Sequence, residues 1–199
     1  MSSGEQKAWE MLREMNPEEV CLNSLASYDH SSGLYMLRSF SFDVILNPSD
    51  KTITSPSSGA DILLKRLGYF FMQSAIWYMV SAKEMPQKGC LIKPVNLKGG
   101  GLFFRGSHVL PLENLAQRYG ESKEEFIKKC ESLSGKIMTY GDVSFELYPF
   151  PRIPITSILW TADEEFPPRA DILFDTSIEA QLPLDIIWSI SMLSILALL

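Results

Sequence analysis

The last fourteen residues of the chain, 186–199 (IIWSISMLSILALL), contain no charged side chain. A helix of that length spans about 21 Å, less than the roughly 30 Å hydrocarbon layer of a bilayer. We therefore expect no membrane span. Because a helix that is apolar on every side must be covered, this segment is predicted to lie in the core of the fold or at an interface. The interface would be with a second copy or a partner protein, and contact with a membrane surface is a further alternative.

Composition bounds the class of protein. The chain has 199 residues, of which 46% are hydrophobic and 21% are charged, values typical of an ordinary globular protein. No repeat or linker divides the sequence, so residues 1–199 are predicted to form a single domain. The formal net charge of −6 argues against a nucleic-acid-binding face.

The cysteines restrict the cofactors. Cys21, Cys90 and Cys130 are scattered, with no C-x-x-C pair and no Cys/His cluster, so we expect neither a zinc finger nor an iron–sulfur cluster in this chain. Three isolated thiols are typical of reduced, intracellular protein. The first residues also lack the apolar segment of a signal peptide, and a cytoplasmic location is predicted.

Apolar periodicity and turn residues predict an α+β fold with mixed or antiparallel sheet pieces, since helices and strands do not alternate regularly. A long helix over 60–83, apolar nearly all round in its second half, is predicted at its centre, and Pro183 opens the final helix. The other helices are predicted at 5–15, 17–25, 112–119 and 122–135. The strands are predicted at 34–40, 42–46, 52–54, 90–97, 137–140, 143–148, 155–160 and 172–174.

One candidate site is the stretch Phe103-Phe104-Arg105-Gly106-Ser107-His108, interpreted as an aromatic strand after three glycines. The imidazole of His108 could ligate a metal or tetrapyrrole or move a proton, and Arg105 could hold a carboxylate or phosphate. The alternative is structural: His108 bonds the backbone at a helix entry and Arg105 pairs with an acid. Phe104, Arg105, His108 and Trp160 are the predicted ligand-binding residues.

A second candidate is the acidic turn after Trp160. Asp163, Glu164 and Glu165 are consecutive, and such carboxylates could bind a hard cation or act as an acid/base pair. A metal cage would need oxygens from elsewhere, for example Asp142 or Asp175. The alternative is a solvated turn with one acid paired to Arg152 or Arg169. No hydrolase, kinase, zinc-protease or phosphate-loop motif is present, which favours a protein that is not an enzyme.

Several stretches together are similar to one family. They are Asn16–Cys21, Gly100–Pro111, Tyr140-Gly141-Asp142 and, most specifically, Pro151 to Asp175 with its Pro-Arg-Ile-Pro-Ile, Ile-Leu-Trp, Asp-Glu-Glu-Phe-Pro and Leu-Phe-Asp segments. They resemble the prokaryotic family catalogued as domain of unknown function 3786. The resemblance implies one domain found in anaerobes, in some relatives beside a cysteine-rich iron–sulfur domain, and it offers no established catalytic residues.

The iron–sulfur domain that accompanies some relatives hints at a role in redox or one-carbon metabolism, where tetrapyrroles are common. The first hypothesis is therefore a non-catalytic ligand- or cofactor-binding accessory domain. Its sharpest version binds a tetrapyrrole, a corrinoid or haem, with His108 as axial ligand. The alternatives are a structural subunit that docks on a redox enzyme through residues 186–199, or a metal-assisted enzyme that uses His108 with the acids of 163–165.

Overall fold

Two antiparallel sheets and eight α-helices make up the part of the chain that the computed structural model describes, residues 3–199. The helices are α1 Ser3–Glu14, α2 Pro17–Ser24, α3 Gly68–Ser81, α4 Gly100–Phe103, α5 Leu112–Tyr119, α6 Lys123–Ser132, α7 Ile178–Gln181 and α8 Leu184–Leu198. The strands are β1 Ser27–Asp29, β2 Leu34–Ser39, β3 Phe42–Asn47, β4 Thr52–Thr54, β5 Leu91–Ile92, β6 Lys136–Met138, β7 Val143–Phe150, β8 Ile153–Trp160 and β9 Arg169–Asp175. The predicted α+β class is confirmed.

The first sheet is a meander of β1 to β4, and the second has the order β5-β9-β8-β7-β6. All pairings between their strands are antiparallel. A backbone hydrogen bond from the Phe40 amide to the Tyr148 carbonyl, 2.8 Å long, joins β2 and β7 regions of the two sheets. The sheets therefore share one hydrophobic core.

Helices α3 and α8 pack against each other in that core. Serines allow the close approach: Ser74 Oγ donates to Ser189 Oγ at 3.1 Å, and Ser189 Oγ donates to the Phe70 carbonyl at 3.2 Å. Small polar side chains at a helix contact let the backbones come near while their hydroxyls stay bonded. The predictions of a buried central helix and an apolar C-terminal helix are both confirmed.

The chain itself covers its apolar end. Of residues 186–199 none is exposed, and only Trp188, Met192, Leu196 and Leu199 are partly accessible. Burial inside the fold was one of the alternatives for this segment, and it removes the need for a partner protein or second copy to cover it. No helix formed by residues 3–199 is both long enough and apolar enough to cross a bilayer.

Three local predictions were wrong. The helix predicted over 60–83 is interrupted, because a π-helical turn at Ile62–Arg66 ends before α3 begins at Gly68. The predicted strand 90–97 keeps only two residues, since Pro94 removes a ladder donor and starts a 3-10 turn. The aromatic segment around Arg105 is not a strand but the short helix α4 followed by a 3-10 turn at Gly106–His108.

Asp175, at the end of β9, fastens the segment before β5. Its carboxylate accepts hydrogen bonds from the amides of Lys88 at 3.0 Å, Gly89 at 2.7 Å and Ser177 at 2.9 Å. Burial acts to raise the pKa of Asp175, but the bonds from Ser177, Lys88 and Gly89 outweigh it and hold the pKa below its usual value. The charged form is therefore the one that stabilises the fold.

We expect Asp175→Ala to lower the free energy of unfolding by about 2 kcal/mol at neutral pH, because charge-assisted bonds are lost. Since the folded pKa is depressed, this contribution is present above the unfolded pKa of about 3.9 and disappears as the pH falls through the folded value. Urea unfolding of both proteins at neutral pH and in acid checks it. Asp61→Ala, which breaks only an exposed pair with Lys65, is the control. A deficit that does not shrink in acid would contradict the assignment.

Candidate functional site

The site is built on a cross-strand pair at one end of the second sheet. Trp160, the last residue of β8, lies directly opposite Arg169, the first residue of β9. The central guanidinium carbon of Arg169 is 3.9 Å from the centre of the indole ring. This cation–π contact contributes about 0.5–1 kcal/mol at an exposed position and fixes both flat groups as one surface.

A turn between β6 and β7 forms one wall. Asp142 Oδ2 accepts hydrogen bonds from the Thr161 amide at 2.8 Å and from Thr161 Oγ1 at 2.9 Å. The Asp142 amide donates to the Leu159 carbonyl at 3.1 Å, so the turn is held against the end of β8. Gly141 has a φ of +57°, and a Cβ there would lie 3.1 Å from Trp160 Cε2. Only glycine fits between the turn and the indole without a shift.

The loop between β8 and β9 forms the other wall. Asp163 Oδ1 accepts from the amides of Glu165 at 2.8 Å and Phe166 at 2.7 Å. The amides of Phe166 and Glu165 lower the pKa of Asp163 below its usual value. Further along, Pro168 packs on Gly120 at the end of α5, and the Ala162 amide donates to the Gly120 carbonyl at 3.1 Å. The loop is therefore tied down at both ends.

Between these walls lies an open cleft of about 550 Å³, within the range of small-ligand sites. It is lined by Asp142, Trp160, Thr161, Asp163, Phe166, Pro167, Pro168 and Arg169. One oxygen of each aspartate is bonded within the chain, and Oδ1 of Asp142 and Oδ2 of Asp163 have no hydrogen-bond partner among residues 3–199. The cleft thus combines flat apolar walls with two free acceptors and one guanidinium.

The structure separates the residues predicted for ligand binding. Trp160 lines the cleft, whereas Phe104, Arg105 and His108 do not. The imidazole of His108 stacks on Phe103 with ring centres 4.5 Å apart and meets the edge of Trp188 at 4.9 Å. The Trp188 Nε1–H donates to the His108 carbonyl at 3.0 Å. These contacts fasten the segment to α8.

The acids suggested as ligands of a metal ion also lie in different parts of the fold. Asp163 and Asp142 share the cleft, as the sequence interpretation allowed, but Asp175 is used elsewhere in the fold. Glu164 and Glu165 are exposed. In the described part of the chain, no group of three His, Cys, Asp or Glu side chains is placed to hold a metal ion.

The suggested ion pairs of the acidic turn do not form within residues 3–199. Arg152 instead donates through Nε to the Asn23 carbonyl at 2.5 Å and through Nη2 to the Leu22 carbonyl at 2.9 Å. A cation at these last carbonyls of α2 stabilises the helix end. The guanidinium of Arg169 stacks on the indole ring of Trp160. The arginines suggested as partners of the acids thus have other roles.

Sequence reasoning missed Arg169, Thr161, Phe166 and the two prolines as members of the site. The Trp160–Arg169 pair depends on the register of β8 with β9, which no local pattern reveals. The available signal was the unusual Asp-Glu-Glu-Phe-Pro-Pro loop beside a tryptophan, which the interpretation used only for its acids.

Comparison with known proteins gives a family but no activity. No curated protein and no solved structure matches the chain significantly. One family model matches residues 16–196 of the 199, a range that includes every residue of the cleft. The chain therefore belongs to the family described as a domain of unknown function, DUF3786.

Proposed function

We propose that this chain is a non-catalytic ligand-binding domain whose site is the cleft at Trp160 and Arg169. The observation that carries the proposal is the stacked Trp160–Arg169 surface, open to a cleft of about 550 Å³. Sites for small molecules are mostly apolar with a few placed polar groups. Here Phe166, Pro167 and Pro168 supply apolar walls, and the free aspartate oxygens supply the polar groups.

The chemistry of the lining defines the ligand class. A flat apolar body would lie along the aromatic and proline walls, and an N–H or O–H group of the ligand would donate to Asp142 Oδ1 or Asp163 Oδ2. We expect a compact molecule with both parts. Among residues 3–199, no histidine, cysteine, serine or lysine lines the cleft, and one oxygen of each aspartate is already bonded within the chain. These side chains favour binding rather than catalysis.

The tetrapyrrole hypothesis gains no support from the contacts of His108. A histidine that ligates a metal centre almost always donates its second ring N–H to a carboxylate, carbonyl or water. The ring nitrogens of His108 make no hydrogen bond with any residue from 3 to 199. We assign the ligand to the Trp160 cleft because its walls and free acceptors form a site, whereas the His108 ring packs on Phe103 and Trp188. A redox or one-carbon setting stays a prediction from the family resemblance.

A titration with small aryl probes tests the proposal. Benzyl alcohol, benzylamine and benzoate carry the same ring with neutral, cationic and anionic ends. We expect at least one of them to shift the indole N–H and Arg169 Nε–H signals in two-dimensional NMR spectra, with affinity reduced by about tenfold or more in Trp160→Leu, because the main contact surface is removed.

Ile137→Ser is the matched control, since Ile137 is 66% exposed on the edge strand β6 and does not line the cleft. It should bind like the wild type. If none of the three probes shifts the Trp160 signal, or if Trp160→Leu binds as well as Ile137→Ser does, the cleft is not the site.

A further inference from the structure

One surface of this acidic protein is basic and apolar. Residues 85–112 contain four Lys or Arg and no Asp or Glu. Lys93 is paired with Asp171, and the Glu179 carboxylate, which accepts from the Lys98 amide at 2.7 Å, borders the surface. The most exposed large hydrophobic residue of the described chain, Leu102, is 81% accessible in this segment, and Val109 is 61% accessible. Arg105 is exposed and forms no ion pair within residues 3–199. We call Lys98, Leu102, Arg105 and Val109 the basic surface.

A second surface has the opposite charge. Asp163, Glu164 and Glu165 are all exposed, and none of them forms an ion pair with another described residue. The next residue, Phe166, is 61% exposed. We call residues 163–166 the acidic loop. It presents an aromatic ring beside carboxylates, as the basic surface presents aliphatic side chains beside cations.

Both surfaces lie along helix α5. Val109 precedes its first residue, Leu112, by three positions, and Leu112 shares a small cavity with Pro167 and Pro168, which directly follow the acidic loop. At the other end of α5, the Gly120 carbonyl is bonded to the Ala162 amide. Both surfaces therefore border the same helix.

We propose that a second copy of this chain covers both surfaces, with the basic surface of one copy against the acidic loop of the other and the reverse contact formed at the same time. A twofold axis produces this exchange, because each residue pair across it occurs twice. Charge complementarity selects the occupant: the chain carries on its own surface the carboxylates and the aromatic side chain that complement the cations and aliphatic side chains of the basic surface. The inference concerns assembly rather than the ligand; because Asp163 and Phe166 also line the cleft, the contact between copies lies at the rim of the ligand site.

Because exposed charges at an interface are screened by salt, we expect a reversible dimer that weakens as the salt concentration rises. Sedimentation velocity over a range of concentrations, at low and high salt, measures it directly. Two charge-reversal variants follow: Lys98→Glu/Arg105→Glu on the basic surface and Glu164→Lys/Glu165→Lys on the acidic loop. Each should weaken self-association by about tenfold or more, because both contacts of its dimer then join like charges.

An equimolar mixture of the two variants is the decisive sample. In the mixed dimer each reversed surface meets a reversed partner, so both contacts regain opposite charges and association should return to near the wild-type level. Lys123→Glu/Lys128→Glu, which reverses two exposed lysines of α6, is the matched control and should dimerise normally. A wild-type chain that stays monomeric at every concentration, or a mixture that stays monomeric, overturns the proposal.

Discussion

Removal of residues 184–199 is expected to leave a chain that does not fold. Seven apolar residues of α8 are buried, among them Ile190, Leu193 and Ile195 with no accessible surface. Six of them are large, and the burial of each contributes about 1.5–3 kcal/mol. Their total of about 9–18 kcal/mol is as large as the stability of about 5–15 kcal/mol that is usual for a domain. The truncated chain should lack the cooperative urea transition that the whole chain shows.

A milder change at the same helix gives a graded result. We expect Leu193→Ala to cost about 2–5 kcal/mol, because it opens a cavity in the core, whereas Leu102→Ala on the exposed α4 should cost almost nothing. Circular dichroism during urea unfolding measures both. If the truncated chain folds cooperatively, α8 is a docking segment for a partner rather than part of the core, and the account of the fold is wrong.

The second large effect is expected at Gly141. Alanine there must adopt a φ of +57°, and its Cβ would lie 2.7 Å from Ile158 Cγ2 and 3.0 Å from the Leu159 carbonyl oxygen. Backbone strain of about 1–2 kcal/mol and overpacking of about 1–3 kcal/mol combine, so we expect Gly141→Ala to lower the free energy of unfolding by about 2–5 kcal/mol. Because Trp160 Cε2 is also crowded, binding in the cleft should weaken as well.

Gly68→Ala is the matched control for this substitution. Gly68 begins α3, and a Cβ there would have no neighbour within 4 Å, so alanine should be neutral or slightly stabilising. Chemical denaturation of the three proteins compares the two positions. Equal stabilities for Gly141→Ala and Gly68→Ala would mean that the turn does not press on the end of β8.

Much of the fold can be predicted from local signals. Asn16 before Pro17 predicts the start of α2, and Asn16 Oδ1 indeed accepts from the Glu18 amide at 2.8 Å. The hairpin about Gly141 follows from turn residues between apolar runs. Local signals fail where the local structure is determined by contacts with residues far along the chain. The strand predicted over 155–160 begins earlier in the structure, because Pro154 is accommodated inside β8 beside a shift of register with β7.

The candidate site was predictable only in part, for the same reason. Trp160 and Asp163 stand out locally as an aromatic and an acid beside a Pro-Pro turn. Arg169 does not, because its contact with Trp160 is a product of strand register. His108 attracted attention as one of only two histidines, but its rarity says nothing about its neighbours, which are Phe103 and Trp188.

The most direct test of the central claim, that the Trp160 cleft binds a ligand, is native mass spectrometry of the protein purified gently from the cells that make it. Wild-type, Trp160→Leu and Ile137→Ser chains would be prepared in parallel. The account predicts one stoichiometric mass increment on the wild-type and Ile137→Ser chains and its loss from Trp160→Leu. An increment that persists unchanged in Trp160→Leu would place the ligand elsewhere and contradict the account.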